Sequence, residues 1–146
     1  LASRAHAHLG EAASFRVGDA AQLPFDDGSF DAVVLGFVLL HLPDPAKALA
    51  TMWASLKEGG VLGIADFTRL GASEQGRAHA AAWRWLFAHD GVHLREGDRA
   101  LAAALPGARV IVHEVDWGSF PFVPALGGLL TCPYSVLVLQ KGPVSA

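Results

Sequence analysis

The sequence predicts an α/β fold on a mostly parallel sheet, and three consecutive observations carry that prediction. Asp31 to Leu40 is a continuous apolar block of strand-forming residues, as in a parallel strand covered on both faces. Asp44-Pro45 then supplies a helix N-cap and a first-turn proline, and Leu49, Met52, Trp53 and Leu56 repeat at i, i+3, i+4 and i+7. Val61 to Ala65 is a second, shorter apolar block. Strand, helix, strand in this order is the unit from which parallel sheets are built.

The remaining elements follow along the chain. Ala2 to Leu9 reads as the tail of a helix and Phe15 to Val17 as a short strand, after which Gly18-Asp19-Ala20 makes a turn. Gly28 punctuates the start of the first apolar block, and Gly59-Gly60 ends the helix after it. Asp66 stands where a strand would emerge at its carboxyl end. Ser73 caps a predicted helix to about His89, apolar on most sides and so read as a lid or wall. Asp98 caps another, with Leu101 and Leu105 on one face. Arg109 to Trp117 and Tyr134 to Gln140 are the last two strands. Trp117 to Gln140 has no charged residue and the length of a membrane span, but Pro121, Pro124, Pro133 and Gly127-Gly128 would break a helix there repeatedly. It reads as a loop and a strand.

Composition narrows the function classes. One domain is expected over residues 1–146, and 52% hydrophobic with 17% charged residues excludes disorder. A formal charge of −3 without clustered Lys or Arg argues against a nucleic-acid partner. Cys132 alone allows no internal disulfide and suits a reducing cytoplasm. His6, His8, His79, His89 and His93 fit no metal-binding spacing, so no metal is expected.

Six segments in order are Gly18-Asp19-Ala20, Leu23-Pro24-Phe25, Gly28-Ser29-Phe30-Asp31, His41-Leu42-Pro43-Asp44-Pro45, Leu56-Lys57-Glu58-Gly59-Gly60 and Asp66-Phe67. Together they resemble the class I S-adenosylmethionine-dependent methyltransferases, particularly the small-molecule branch of the quinone-biosynthesis enzymes. The resemblance implies a Rossmann-like, doubly wound sheet, mostly parallel with an antiparallel last strand that pairs with its predecessor at one edge. It departs from the family before Gly18: the strand, the acidic glycine-rich turn and the following acid-ended strand, which hold the methionine and ribose parts of the cofactor, have no counterpart among Leu1 to Val17. The expectation is a domain truncated at its amino terminus, lacking its first two strands, and binding S-adenosylmethionine weakly or not at all as it stands.

The resemblance also implies roles for individual residues. Asp19 accepts from the adenine amino group and the backbone of Ala20 meets the ring edge, although Asp19 also reads as a plain turn residue. Leu35, Gly36 and Phe37 pass closest to the sulfonium, where a glycine permits close backbone approach. His41 follows the strand end and is the candidate acid or base, since imidazole exchanges a proton near neutral pH; holding the turn is its competing role. Asp66 either orients a substrate group or is a solvated strand end. Trp83, Trp85, Phe87, Trp117, Phe120 and Phe122 suggest an apolar or aromatic small-molecule acceptor. The alternative is a non-catalytic scaffold, or a homodimer that covers the exposed sheet edges.

Overall fold

The computed structural model describes residues 13–67, 98–119 and 131–143. Strands β1 (Phe30–Gly36), β2 (Leu56–Phe67), β3 (Ala108–Ser119) and β4 (Thr131–Lys141) form one sheet in the order β1-β2-β4-β3. β1 pairs parallel with β2, and β4 runs antiparallel to both β2 and β3. Three strands therefore share a direction and the last opposes them, as the sequence predicts. A parallel pair cannot be joined by a tight turn. The β1 to β2 connection accordingly runs through α1 (Pro45–Ser55), where Asp44 Oδ1 accepts from the Lys47 backbone N–H at 3.0 Å and Pro45 opens the first turn.

The core lies on one face of the sheet. Leu35, Ile64 and Leu137 stand in one register row, Leu62 and Leu139 in another, and all five are buried. Leu49, Met52 and Trp53 of α1 cover them, joined by Leu101, Ala102 and Leu105 in and just after α2 (Asp98–Ala104). The Trp53 indole N–H donates to the Pro106 carbonyl at 3.0 Å, tying α1 to the turn before β3. Burial of a leucine in such a core stabilises by about 1.5–3 kcal/mol.

Four sequence expectations need correction. The first apolar block is not one strand, because β1 stops at Gly36. Phe37 takes φ 52°, and Leu39–His41 coil into a single 3-10 turn. Leu39 and Leu40 are apolar because that turn is buried, a distinction that hydrophobic runs alone do not carry. Nor is β1 covered on both faces, since Val34 is 79% exposed.

The helix ends at Ser55 rather than at Gly59-Gly60. Leu56 is already extended, and its N–H closes the last turn on the Trp53 carbonyl. Gly59 (φ 78°) and Gly60 shape an irregularity inside β2 instead, where pairing moves from Phe30↔Leu56 to Ala32↔Val61. At Gly60 a Cβ would stand 2.9 Å from the Lys57 carbonyl oxygen and 3.1 Å from that of Asp31. Finally, Phe15 to Val17 form no strand, and the three residues are exposed.

The helices read at 2–9 and 73–89, the histidines at 6, 8, 79, 89 and 93, and the aromatic residues at 83, 85, 87, 120 and 122 lie outside the described residues, as does the loop 120–130. Among the described residues no helix is long and apolar enough to cross a membrane.

Candidate cofactor crevice

In open parallel sheets ligands settle beyond the strand carboxyl ends. Here those ends are Gly36 of β1 and Phe67 of β2, and the chain leaving β1 is held at two successive points of β2. The Phe37 N–H donates to the Ala65 carbonyl at 2.8 Å, and the Leu39 N–H donates to Asp66 Oδ2 at 2.9 Å. Between them Phe37 keeps a left-handed φ, which a side chain with a Cβ rarely adopts without support from its surroundings.

The predicted cofactor residues fall into two groups. Leu35 turns its side chain into the core at 5% exposure, so only its backbone is available to a ligand. Gly36 is exposed with nothing within 4 Å of where a Cβ would be, and Phe37 beside it is half exposed. Together they place an uncrowded glycine beside a half-exposed aromatic ring at the end of β1.

Asp19 and Ala20 belong to a turn on the amino-terminal side of β1. Asp19 is exposed; its Oδ1 accepts from the Ala21 N–H at 2.8 Å, its Oδ2 from the Gln22 side-chain amide at 3.3 Å, and its carbonyl from the Gln22 N–H at 3.0 Å. These bonds define the local turn that sequence reading offered as the alternative role. A carboxylate has about four acceptor positions, so the turn leaves capacity for an exocyclic amino group. Ala20, Ala21 and Leu23 pack against the cluster that contains Leu35 and Leu39. The Thr51 hydroxyl reaches the Ala21 carbonyl at 3.5 Å, which places the turn beside α1.

His41 closes the 3-10 turn, its backbone N–H donating to the Val38 carbonyl at 3.0 Å while the residue itself is exposed. Both of its predicted roles are compatible with that position. Asp66 is the residue that sequence reasoning misplaced: it is neither solvated nor at a substrate surface but fully buried, opposite Ser135 in the β2/β4 register. The signal was present in its apolar neighbours Ala65 and Phe67. Among the described residues no group of three or more His, Cys, Asp or Glu could hold a metal ion.

A separate hollow of about 940 Å³ lies at the other end of the sheet, where β2 and β3 begin and β4 finishes, between Glu58, Gly107, Arg109, Gln140 and Lys141. The side chains of Arg109, Gln140 and Lys141 are engaged with the protein. Arg109 donates to the Gln140 side-chain oxygen Oε1, and the Gln140 side-chain amide donates to the Gly59 backbone carbonyl at 3.2 Å. Lys141 Nζ donates to the Trp53, Ala54 and Leu56 carbonyls at 2.9, 3.3 and 2.7 Å, and so caps the end of α1. Size alone does not make this hollow the site, because it faces away from the strand carboxyl ends.

Comparison with known proteins agrees with this fold. Residues 1–64 match the family model described as the methyltransferase domain. The demethylmenaquinone methyltransferase of Renibacterium salmoninarum is 50% identical over 54 residues, 37% of this chain and 23% of that protein. The matched segment thus spans about a quarter of its curated relative. Among solved structures, YcgJ of Bacillus subtilis superposes with a TM-score of 0.75 at 16% identity, covering 98% of this chain and 77% of the other. A SAM-dependent methyltransferase of Methanosarcina mazei gives 0.62 at 18% identity, covering 88% and 66%. The chain therefore has the Rossmann-like fold of the class I S-adenosylmethionine-dependent methyltransferases, its first 64 residues match the methyltransferase domain, and a 54-residue stretch is similar to a quinone-biosynthesis member.

Proposed function

We propose that the chain serves S-adenosylmethionine-dependent methyl transfer to a small apolar or aromatic acceptor of quinone-like chemistry. The observation that carries this reading is the exposed, uncrowded Gly36 at the carboxyl end of a parallel strand pair, within the segment matched by the methyltransferase family. The acceptor class rests on the demethylmenaquinone relative and on the aromatic residues of the second half.

Bound in the crevice, the cofactor supplies a methyl carbon already activated by its sulfonium. In-line displacement at that carbon asks the protein mainly for alignment and exclusion of water. Asp19 takes the adenine amino group and the Ala20 backbone the ring edge. Gly36 allows close approach near the sulfonium, while Phe37 supplies an apolar wall. His41, exposed at the mouth of the turn, receives the proton that an acceptor hydroxyl or acidic ring carbon loses.

Saturation-transfer NMR with S-adenosylmethionine tests the orientation. The adenine protons are expected to receive the strongest transfer, and Asp19→Ala to weaken it. Transfer confined to the methionine end, or unaffected by that substitution, contradicts the adenine assignment. A naphthoquinol lacking one ring methyl is the acceptor to supply in an assay for methylated product. Methylation of a primary amine in preference to it would move the acceptor to another class.

A further inference from the structure

We propose that Asp66 is the positioning residue of the cofactor crevice, acting through the Leu39 N–H to fix the path of Gly36 and Phe37. The proposal rests on the cofactor reading above and assigns that site a residue which touches no ligand.

A carboxylate removed from water is costly unless its acceptors are engaged. Asp66 has no exposed surface, and its Oδ2 accepts from an amide 27 residues away in sequence. That amide is the first of the 3-10 turn Leu39–His41, the segment to which His41 belongs. The adjacent β2 residue, Ala65, accepts from Phe37. Two consecutive residues of one strand therefore hold two points of the loop leaving the next, one by backbone and one by side chain. The backbone bond alone continues the parallel ladder, in which Gly36 pairs with Ala65. The side-chain bond instead turns the chain away from the sheet, and between the two bonds lies the left-handed Phe37.

The consequence is geometric. If Leu39 were released, Phe37 could relax to a negative φ, and the open backbone of Gly36 would shift with it. The energy of such a bond to a charged acceptor is of the same order as the cost of a left-handed φ at a residue with a Cβ. Asp66 also faces Ser135, fully buried as well, so the clamp is anchored in the middle of the sheet rather than at its rim.

The test compares Asp66→Ala and Asp66→Asn in the whole chain, following backbone amide resonances during titration with S-adenosylmethionine. Asp66→Asn keeps an acceptor for the Leu39 N–H and is expected to hold the affinity within about threefold of the starting protein, whereas Asp66→Ala lowers it at least tenfold and moves the Phe37 and Leu39 resonances before ligand is added. A purely structural role predicts instead that affinity follows thermal stability in both variants, without rescue by asparagine. Should the alanine variant not fold, Asp66→Glu carries the same test, since it retains the charge and displaces the acceptor, and it too is expected to lose at least tenfold. Unchanged affinity in the folded alanine or glutamate variant overturns the positioning role and leaves the cofactor reading standing. Absence of ligand-induced shifts in the unmodified protein overturns both.

Discussion

Asp19 is the residue at which a turn role and a ligand role can be separated by experiment. Its carboxylate bonds only to the neighbouring Ala21 and Gln22, in an exposed turn, so replacement by alanine removes local bonds and no core packing. The expected loss of stability is about 0.5–1 kcal/mol. Loss of an adenine contact to a charged acceptor is larger, about tenfold in affinity for S-adenosylmethionine. Calorimetric titration beside a thermal melt checks the pair of effects, and unchanged affinity assigns Asp19 to the turn alone. The ion pair of Lys57 with Asp31, 2.8 Å between Nζ and Oδ1, supplies a second prediction at this scale. The Lys57 hydrogen bond, then its charge, holds the Asp31 carboxyl below the ordinary carboxylate range. A lowered folded-state pKa adds stability above the unfolded value of about 3.9 and loses it as pH falls through the folded one. Lys57→Met should therefore raise the Asp31 midpoint in a carboxyl NMR titration. The small stability difference between the two proteins should be present near neutrality and vanish in acid. An unmoved midpoint would show that the pair does not persist in solution.

At the scale of elements, the end of α1 shows most clearly why a sequence is only partly legible. Its start was readable, because Asp44 and Pro45 act within the first turn and their geometry is local. Its stop was not, because the groups that satisfy its last carbonyls come from Lys141, 85 to 88 residues away. Gly59-Gly60 looked like a terminator and instead accommodates a shift in pairing between β1 and β2. Lys141→Met keeps most of the aliphatic stem and removes the three donated bonds, so a cost of about 1–3 kcal/mol is expected. Chemical denaturation checks this; a change within about 0.5 kcal/mol, the range of a neutral surface substitution, would mean that water caps the helix equally well. The same distinction governs the first apolar block. Asp31 to Gly36 and Val38 to Leu40 are alike in hydropathy, but only the first joins the ladder. The second is apolar because it is buried under the bond from Leu39 to Asp66, and nothing local in the sequence announces a contact to a residue 27 positions on.

For the molecule as a whole, the parallel pairing of β1 with β2 follows from a legible feature, two apolar blocks bridged by a helix. The antiparallel last strand follows from the family resemblance, whereas the insertion of β4 between β2 and β3 was not legible. Of the candidate site, Gly36 was legible as a glycine at a strand end, and it is exposed there. Its supporting structure was not, since the left-handed Phe37 and the buried Asp66 depend on packing between β1 and β2. The whole account comes down to where S-adenosylmethionine touches this fold. Titration of the isotopically labelled protein to millimolar cofactor, read as amide shifts mapped along the chain, is the most direct measurement because it locates even a weak complex. The account predicts shifts concentrated at Asp19 and Ala20 and at Gly36 and Phe37, the latter two at the carboxyl end of β1. Shifts concentrated instead at Gly107, Arg109 and Lys141, around the hollow at the opposite end of the sheet, would contradict it.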